Sequence, residues 1–304
     1  MIFIFINIAN LMCDKEMKDK ASIILSMVIF GTIGIFVEYI NLPSGVIASF
    51  RGIVGAFVIL GVMLLRGKKL DFSSLKKKIK VLLASGVAIG FNWILLFEAY
   101  KYTGIPVATV CYYTAPVIVV VASAFIFKRK LKFKQIICAF LAMIGVAAVS
   151  GVFQSGVTEI NGVLCGLGAA LLYASVMIMN KFMGDVPSYE RTVVQLLTAG
   201  LVVLPYAILT AEDIELNLKS TLLLAVVGIV HTGFAYLMYF DAMKKLESGT
   251  VAILSYIDPA SAIILSSLVF MTLPKIHEII GVILIMAGAI WSEIDKGKLM
   301  QSKT

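Results

Sequence analysis

The sequence predicts an all-α membrane protein with ten transmembrane helices in two inverted five-helix repeats. Three observations lead there. The 304 residues are 60% apolar and only 14% charged, whereas a soluble domain is nearer a quarter charged. The chain holds ten mostly apolar stretches, each close to the roughly 20 residues needed to cross a hydrocarbon core. Residues 84–148 also match residues 227–291 without a gap at 16 positions, all of them 143 residues apart.

The ten stretches are 21–40, 44–65, 79–101, 105–127, 133–153, 160–182, 189–209, 219–243, 248–271 and 276–294. Turn chemistry or charge separates most of them: Asn41-Leu42-Pro43, Arg66 to Lys80, Gly104-Ile105-Pro106, Lys128 to Lys134 and Gly184 to Pro187. Several joints are so short that neighbouring spans must pack as antiparallel hairpins. The expected organisation is a cytoplasmic or interfacial segment at 1–20, a first repeat at 21–153, a second at 160–294 and a cytoplasmic tail at 295–304. Met1–Met12 is apolar but too short to span, and it lacks the basic stretch of a signal peptide. It either lies at the interface or precedes a translation start at Met17.

Lysine and arginine set the orientation. With the N-terminus inside, 22 of the 26 basic residues fall on the cytoplasmic side; only Lys101, Lys219 and Lys275 fall opposite, and Arg51 lies within a span. Both termini are therefore expected in the cytoplasm of a cell bearing the protein in its plasma or inner membrane. The net charge of +8 is dispersed in short loop clusters, which argues against nucleic acid as a partner and for the lipid bilayer. The clusters Lys76-Lys77-Lys78 and Lys128-Arg129-Lys130 are topology signals, with attraction to anionic lipid a by-product. The four cysteines show no paired spacing and the two histidines lie far apart, so neither a metal site nor another cofactor is expected.

The 16 identities include residues that apolar composition does not supply by chance: Lys101 with Lys244, Tyr113 with Tyr256, and Pro116 with Pro259. Five spans per half is an odd number, so the second half enters the membrane from the opposite side. Inverted repeats of this kind relate inward-open and outward-open states, with a shared site near the midplane. The ten spans, the short loops, the segment Ala252 to Pro259 and its counterpart Ala108 to Pro116 together resemble the EamA type of the drug/metabolite transporter superfamily, over residues 18–296. The resemblance implies a secondary transporter, most similar to exporters of amino acids and related metabolites. It does not identify the solute.

Polar groups inside spans need a pathway or a partner to justify them. Asp258 precedes Pro259, where a missing backbone donor frees carbonyls; its carboxyl suits a substrate amine or a proton, or merely caps a kink. His231 lies mid-span and suits a proton relay, a substrate hydrogen bond or a helix-to-helix tie. Asn92, Trp93, Tyr112, Tyr113, Tyr173, Tyr236, Tyr239 and Tyr256 lie deeper than an interfacial belt, so they line a cavity or pack helices. Asn180 shares a helix face with Tyr173. Arg51 and Glu38 are candidates for an outer gate or a structural ion pair across the first hairpin, with snorkelling as the alternative. Pro116 and Pro259 are the paired hinges. The asymmetric positions, His231 against Ala88 and Asp258 against Ala115, are where solute chemistry is expected.

The expected function is alternating-access transport of a small amphipathic solute, with export favoured. No Walker-type phosphate loop occurs, which argues against ATP as the direct energy source. Proton coupling through His231 or Asp258, exchange and facilitated diffusion all fit. An intramembrane enzyme would want a nucleophile motif beside His231, and a channel would show charged rings or a glycine-rich carbonyl filter; the sequence has neither. Oligomeric state is open at this level.

Overall fold

The computed structural model describes residues 15–67, 71–128, 133–155, 159–211, 217–271 and 273–301. The apolar opening at 1–12 lies outside these. Among the described residues nine helices are long and apolar enough to cross a membrane: α1 Lys15–Val37, α2 Ser44–Leu65, α3 Ser73–Ile105, α4 Val107–Ile126, α5 Phe133–Ser150, α6 Ile160–Phe182, α7 Ser188–Thr210, α8 Leu218–Lys245 and α9 Ser248–Val269. The tenth, α10 Ile276–Gln301, has a shorter apolar part, Ile276–Ser292. Its helix runs on through residues expected as a tail.

The boundaries follow local chemistry. Asp71 caps the start of α3 by accepting from the backbone N–H groups of Ser73 and Ser74, as an N-cap aspartate does. The Ser74 and Ser73 N–H groups hold its carboxyl below the ordinary range. Pro43 and Pro187 precede α2 and α7. Gly104, next to the end of α3, kinks the chain before α4 with φ 74°, a left-handed conformation that glycine adopts without a Cβ penalty. Large apolar side chains such as Leu65, Phe125 and Leu209 lie exposed on the outside, as lipid-facing residues should.

The two halves interlock rather than sit side by side. Helix α3 packs on α6 and α7, and the equivalent α8 packs on α1 and α2; α4 meets α6 as α9 meets α1. The pairs α2–α7, α4–α9 and α5–α10 cross at the pseudo-twofold axis. Two equivalent three-helix bundles result: α3–α4–α6 and α8–α9–α1.

The 143-residue offset reappears as matched close contacts. A Cβ on Gly90 would meet Val202 and the Ala199 carbonyl of α7; one on its counterpart Gly233 would meet Val58 and the Gly55 carbonyl of α2. In the α5–α10 crossing, Gly145 abuts the Gly281 carbonyl and Gly288 abuts the Cys138 carbonyl. Cys138 and Gly281 are themselves 143 apart, so the two contacts are one contact repeated by symmetry. Small residues let helix backbones approach where apolar burial gives little drive in lipid.

A Cβ at Gly281 would stand 2.5 Å from both the Gly145 carbonyl and Val149. Gly281→Val is therefore expected to lower the thermal midpoint in detergent by the equivalent of ~1–3 kcal/mol of overpacking. Gly61→Ala, at a site with nothing within 4 Å, should leave it unchanged. Equal midpoints for the two variants would remove the close crossing.

Candidate functional site

A cavity of about 530 Å³ lies between the two bundles. It opens among the ends of α1, α3 and α5, where Gly34, Ile105 and Ser150 form its rim. Deeper walls are aromatic: Trp93, Tyr112, Tyr113, Tyr173, Tyr236 and Tyr239. Among the described lining residues Arg51 is the one cation and Asp258 the one carboxylate.

Broken helices build the polar part. Helix α4 is interrupted at Tyr113-Thr114 and α9 at Ser255-Tyr256, two residues or so before Pro116 and Pro259. Each proline lacks the N–H that would continue the ladder, and its ring disfavours the carbonyl one turn back. The two breaks lie against each other at the pseudo-twofold axis. The rings of Tyr113 and Tyr256 stack with centroids 6.1 Å apart. The Tyr256 hydroxyl donates to the Tyr113 backbone carbonyl at 2.9 Å, and the Tyr113 hydroxyl donates to Asp258 Oδ2 at 2.8 Å. Irregular backbone at this depth is tolerated where it lines a cavity.

Arg51 projects from α2 into the cavity. Its Nε donates to Thr232 Oγ1 at 3.1 Å, and its guanidinium lies 4.8 Å from the Trp93 ring centre. Thr232 can accept because α8 widens to a π-helix over Val227–Phe234, where the Thr232 hydroxyl itself donates to the Val227 carbonyl at 3.0 Å. Such segments often mark functional positions, and nothing in the apolar pattern announced this one. The expected ion pair of Arg51 with Glu38 is not made: Glu38 is exposed at the end of α1, while Arg51 is drawn inward by Thr232 and the aromatic faces.

The opposite end is closed by bonds between the bundles. The hydroxyls of Tyr173 on α6 and Tyr239 on α8 meet at 2.8 Å and form the floor. Below them, Lys181 Nζ of α6 donates to the carbonyls of Met243 and Leu246 at the C-terminus of α8. A cation at a helix C-terminus is favourably placed. Fully buried Arg191 of α7 joins the two by donating to the Phe240 carbonyl and, at 3.5 Å, to that of Asn180.

Of the residues singled out in the sequence, Trp93, Tyr112, Tyr113, Tyr173, Tyr236, Asp258, Arg51, Pro116 and Pro259 meet at this cavity. Others lie behind its wall. Asn92 is buried and donates to the Ala169 carbonyl at 2.7 Å, tying α3 to α6. Asn180 bonds back to the Val176 carbonyl of its own helix. Tyr256 is fully buried in the α4–α9 crossing. His231, 2% exposed, ties α8 to α1 through Nε2 and Thr32 Oγ1 at 2.8 Å, with the Phe36 ring 4.8 Å away.

Tyr239, one of the mid-depth tyrosines, lines the cavity too, as do Phe30 and Tyr100, which are not among the site residues expected from the sequence. The 143-residue offset pairs Phe30 with Tyr173, which is the sequence signal for it. Tyr100 was hidden by its neighbour Lys101, which makes the segment look like a helix end.

Comparison with known proteins matches this architecture. The Bacillus subtilis protein named uncharacterized transporter YxxF is 29% identical over 280 residues, 90% of each chain. Protein PecM of Dickeya dadantii is 26% identical over 76% of this chain and 78% of its own. Human solute carrier family 35 member G1 is 22% identical over 93% and 83%. A solved crystal structure superposes with a TM-score of 0.83 over 92% of this chain and 98% of its own, at 18% identity, which shows the shared fold. The sequence profile of the EamA-like transporter family matches twice, over residues 21–151 and 160–293. The chain is a multi-pass membrane transporter and belongs to the EamA-like transporter family.

Proposed function

We propose that the protein is a secondary carrier that moves a small amphipathic solute, an amino acid or a related metabolite, by alternating access, with export as the favoured direction. The observation that carries this reading is one cavity between two equivalent bundles, open at one end and bonded shut at the other. With the positive-inside orientation, both termini are cytoplasmic and the open end faces outward. The repeats, taken as 21–153 and 160–294, then exchange conformations to present the same cavity to the cytoplasm.

Asp258 supplies a carboxylate in the cavity wall for a solute amine, held in place by Tyr113. It is also the titratable carboxyl that a co-transported proton would reach, whereas His231 acts between α1 and α8. His231→Ala is accordingly expected to lower the thermal midpoint by an interhelical bond's worth, roughly 1 kcal/mol, and to leave the pH profile of transport unchanged. A shifted profile would return His231 to a proton path.

Purified protein in proteoliposomes tests the carrier reading. Uptake of a radiolabelled amino-acid mixture should saturate and should accelerate when unlabelled solute is preloaded on the opposite side. Linear, non-saturating flux without counterflow would make the protein a channel.

A further inference from the structure

A charged group within a membrane span is costly unless it has a partner, and an arginine without one marks a functional site by default. Arg51 is such a group. Among the described residues no carboxylate lies within ion-pair distance of it. Its Nε is taken by Thr232, and the guanidinium otherwise has neutral aromatic neighbours, Tyr236, Tyr112 and the Trp93 ring. Asp258, the other charge of the cavity, is already engaged by Tyr113.

The position is also central. Trp93 and Tyr236 are 143 residues apart, and their rings lie 6.4 Å apart on either side of the axis. Arg51 sits against both, so it stands where the two repeats meet and where either open state exposes it. Its own counterpart by the offset is Val194. The cation is thus an addition to the symmetric frame, not part of it.

We infer that Arg51 is the specificity residue that receives an anionic head group of the solute, a carboxylate, while the aromatic walls take the apolar body. This rests on the carrier reading above. A guanidinium presents two parallel donors that match a carboxylate, and the Trp93 face beneath it keeps the fork planar and oriented. A phosphate ester carries about two charges, and a cavity with one arginine and one carboxylate does not balance them. The solute is therefore a monoanionic or zwitterionic carboxylate.

The test uses the purified full-length protein and four solutes that share one aromatic body: L-phenylalanine, 3-phenylpropionate, L-phenylalaninamide and 2-phenylethylamine. At a common millimolar concentration L-phenylalanine is expected to raise the thermal midpoint clearly more than L-phenylalaninamide, which keeps the amine for Asp258 and lacks the carboxylate, because a ligand bound only by the folded state stabilises it. The carboxylate of 3-phenylpropionate should also raise the midpoint, and 2-phenylethylamine should do no better than the amide. Arg51→Gln should weaken apparent affinity for the carboxylates about tenfold or more; Arg51→Lys should retain part of it. If Arg51→Gln does not fold, Arg51→Lys carries the comparison. Stabilisation by the amide equal to that by L-phenylalanine, no stabilisation by either carboxylate, or an unchanged preference in the variants would each overturn the assignment. The carrier reading fails separately: head-group preference without counterflow leaves Arg51 in place and removes the carrier. Counterflow with wild-type preference in the variants does the reverse.

Discussion

Asp258→Ala is expected to reduce solute turnover in proteoliposomes about tenfold or more, with the protein still folded and inserted. The carboxylate is the one negative charge in the described cavity wall, and a hydrogen bond to a charged group contributes ~1.5–3 kcal/mol, one to two decades in affinity. Asp258→Asn keeps the size and the bond to Tyr113 and removes the charge. If the charge binds a solute amine, the two variants should lose affinity for amine-bearing solutes alike, measured as a raised half-saturation concentration. Tyr113→Phe removes the hydroxyl that orients the carboxyl and should fall between these and the wild type. Near-normal affinity in Asp258→Asn with loss only in Asp258→Ala would assign the residue to the helix break rather than to the solute.

Much of the architecture was legible because membrane folds follow from few rules. Apolar length sets the spans, and the observed helices depart from the expected bounds mainly at their ends, where α3 and α8 extend through basic sequence such as Lys77 and Lys245. The offset identities were contact residues: Gly90, Gly233, Gly145 and Gly288 recur because each sits where two backbones cross. Tyrosines at mid-depth pointed to the cavity because a polar ring far from the interface needs water, a solute or a partner.

Side-chain direction was what the pattern could not supply. Asn92 turns to a carbonyl of the neighbouring helix α6, and Asn180, beside Lys181 at the closed end, bonds back to its own helix. Arg51 and Glu38 carry opposite charges on one hairpin, yet Arg51 turns inward because the π-helix brings Thr232 within reach. A widened turn in α8 changes which residues face the cavity, and apolar periodicity does not register it. His231 belongs to the same segment and is turned toward Thr32 and Phe36.

The closed end states what the open end should become. Tyr173 and Tyr239, whose hydroxyls now meet at 2.8 Å, have Phe30 and Leu96 as their offset counterparts, and both of these line the cavity. In the proposed exchange of repeat conformations Phe30 is expected to meet Leu96 and close the open end with an apolar contact. Lys181 has Glu38 as its counterpart, and Met243 and Leu246 have Tyr100 and Thr103. In that exchange Glu38 is expected over the end of α3 beside Lys101, which Glu98 and Tyr206 now hold at 2.8 and 3.0 Å. Opposite charges meet there in place of a lysine on bare carbonyls.

Cysteines at positions 30 and 96, introduced after replacement of the four native cysteines, measure this directly in proteoliposomes under turnover. Oxidative crosslinking should form a disulfide, with solute raising its rate, and should abolish counterflow until reductant restores it. Cycling protein that never crosslinks these positions, or crosslinked protein that continues to transport, would contradict alternating access by exchange of the two repeats.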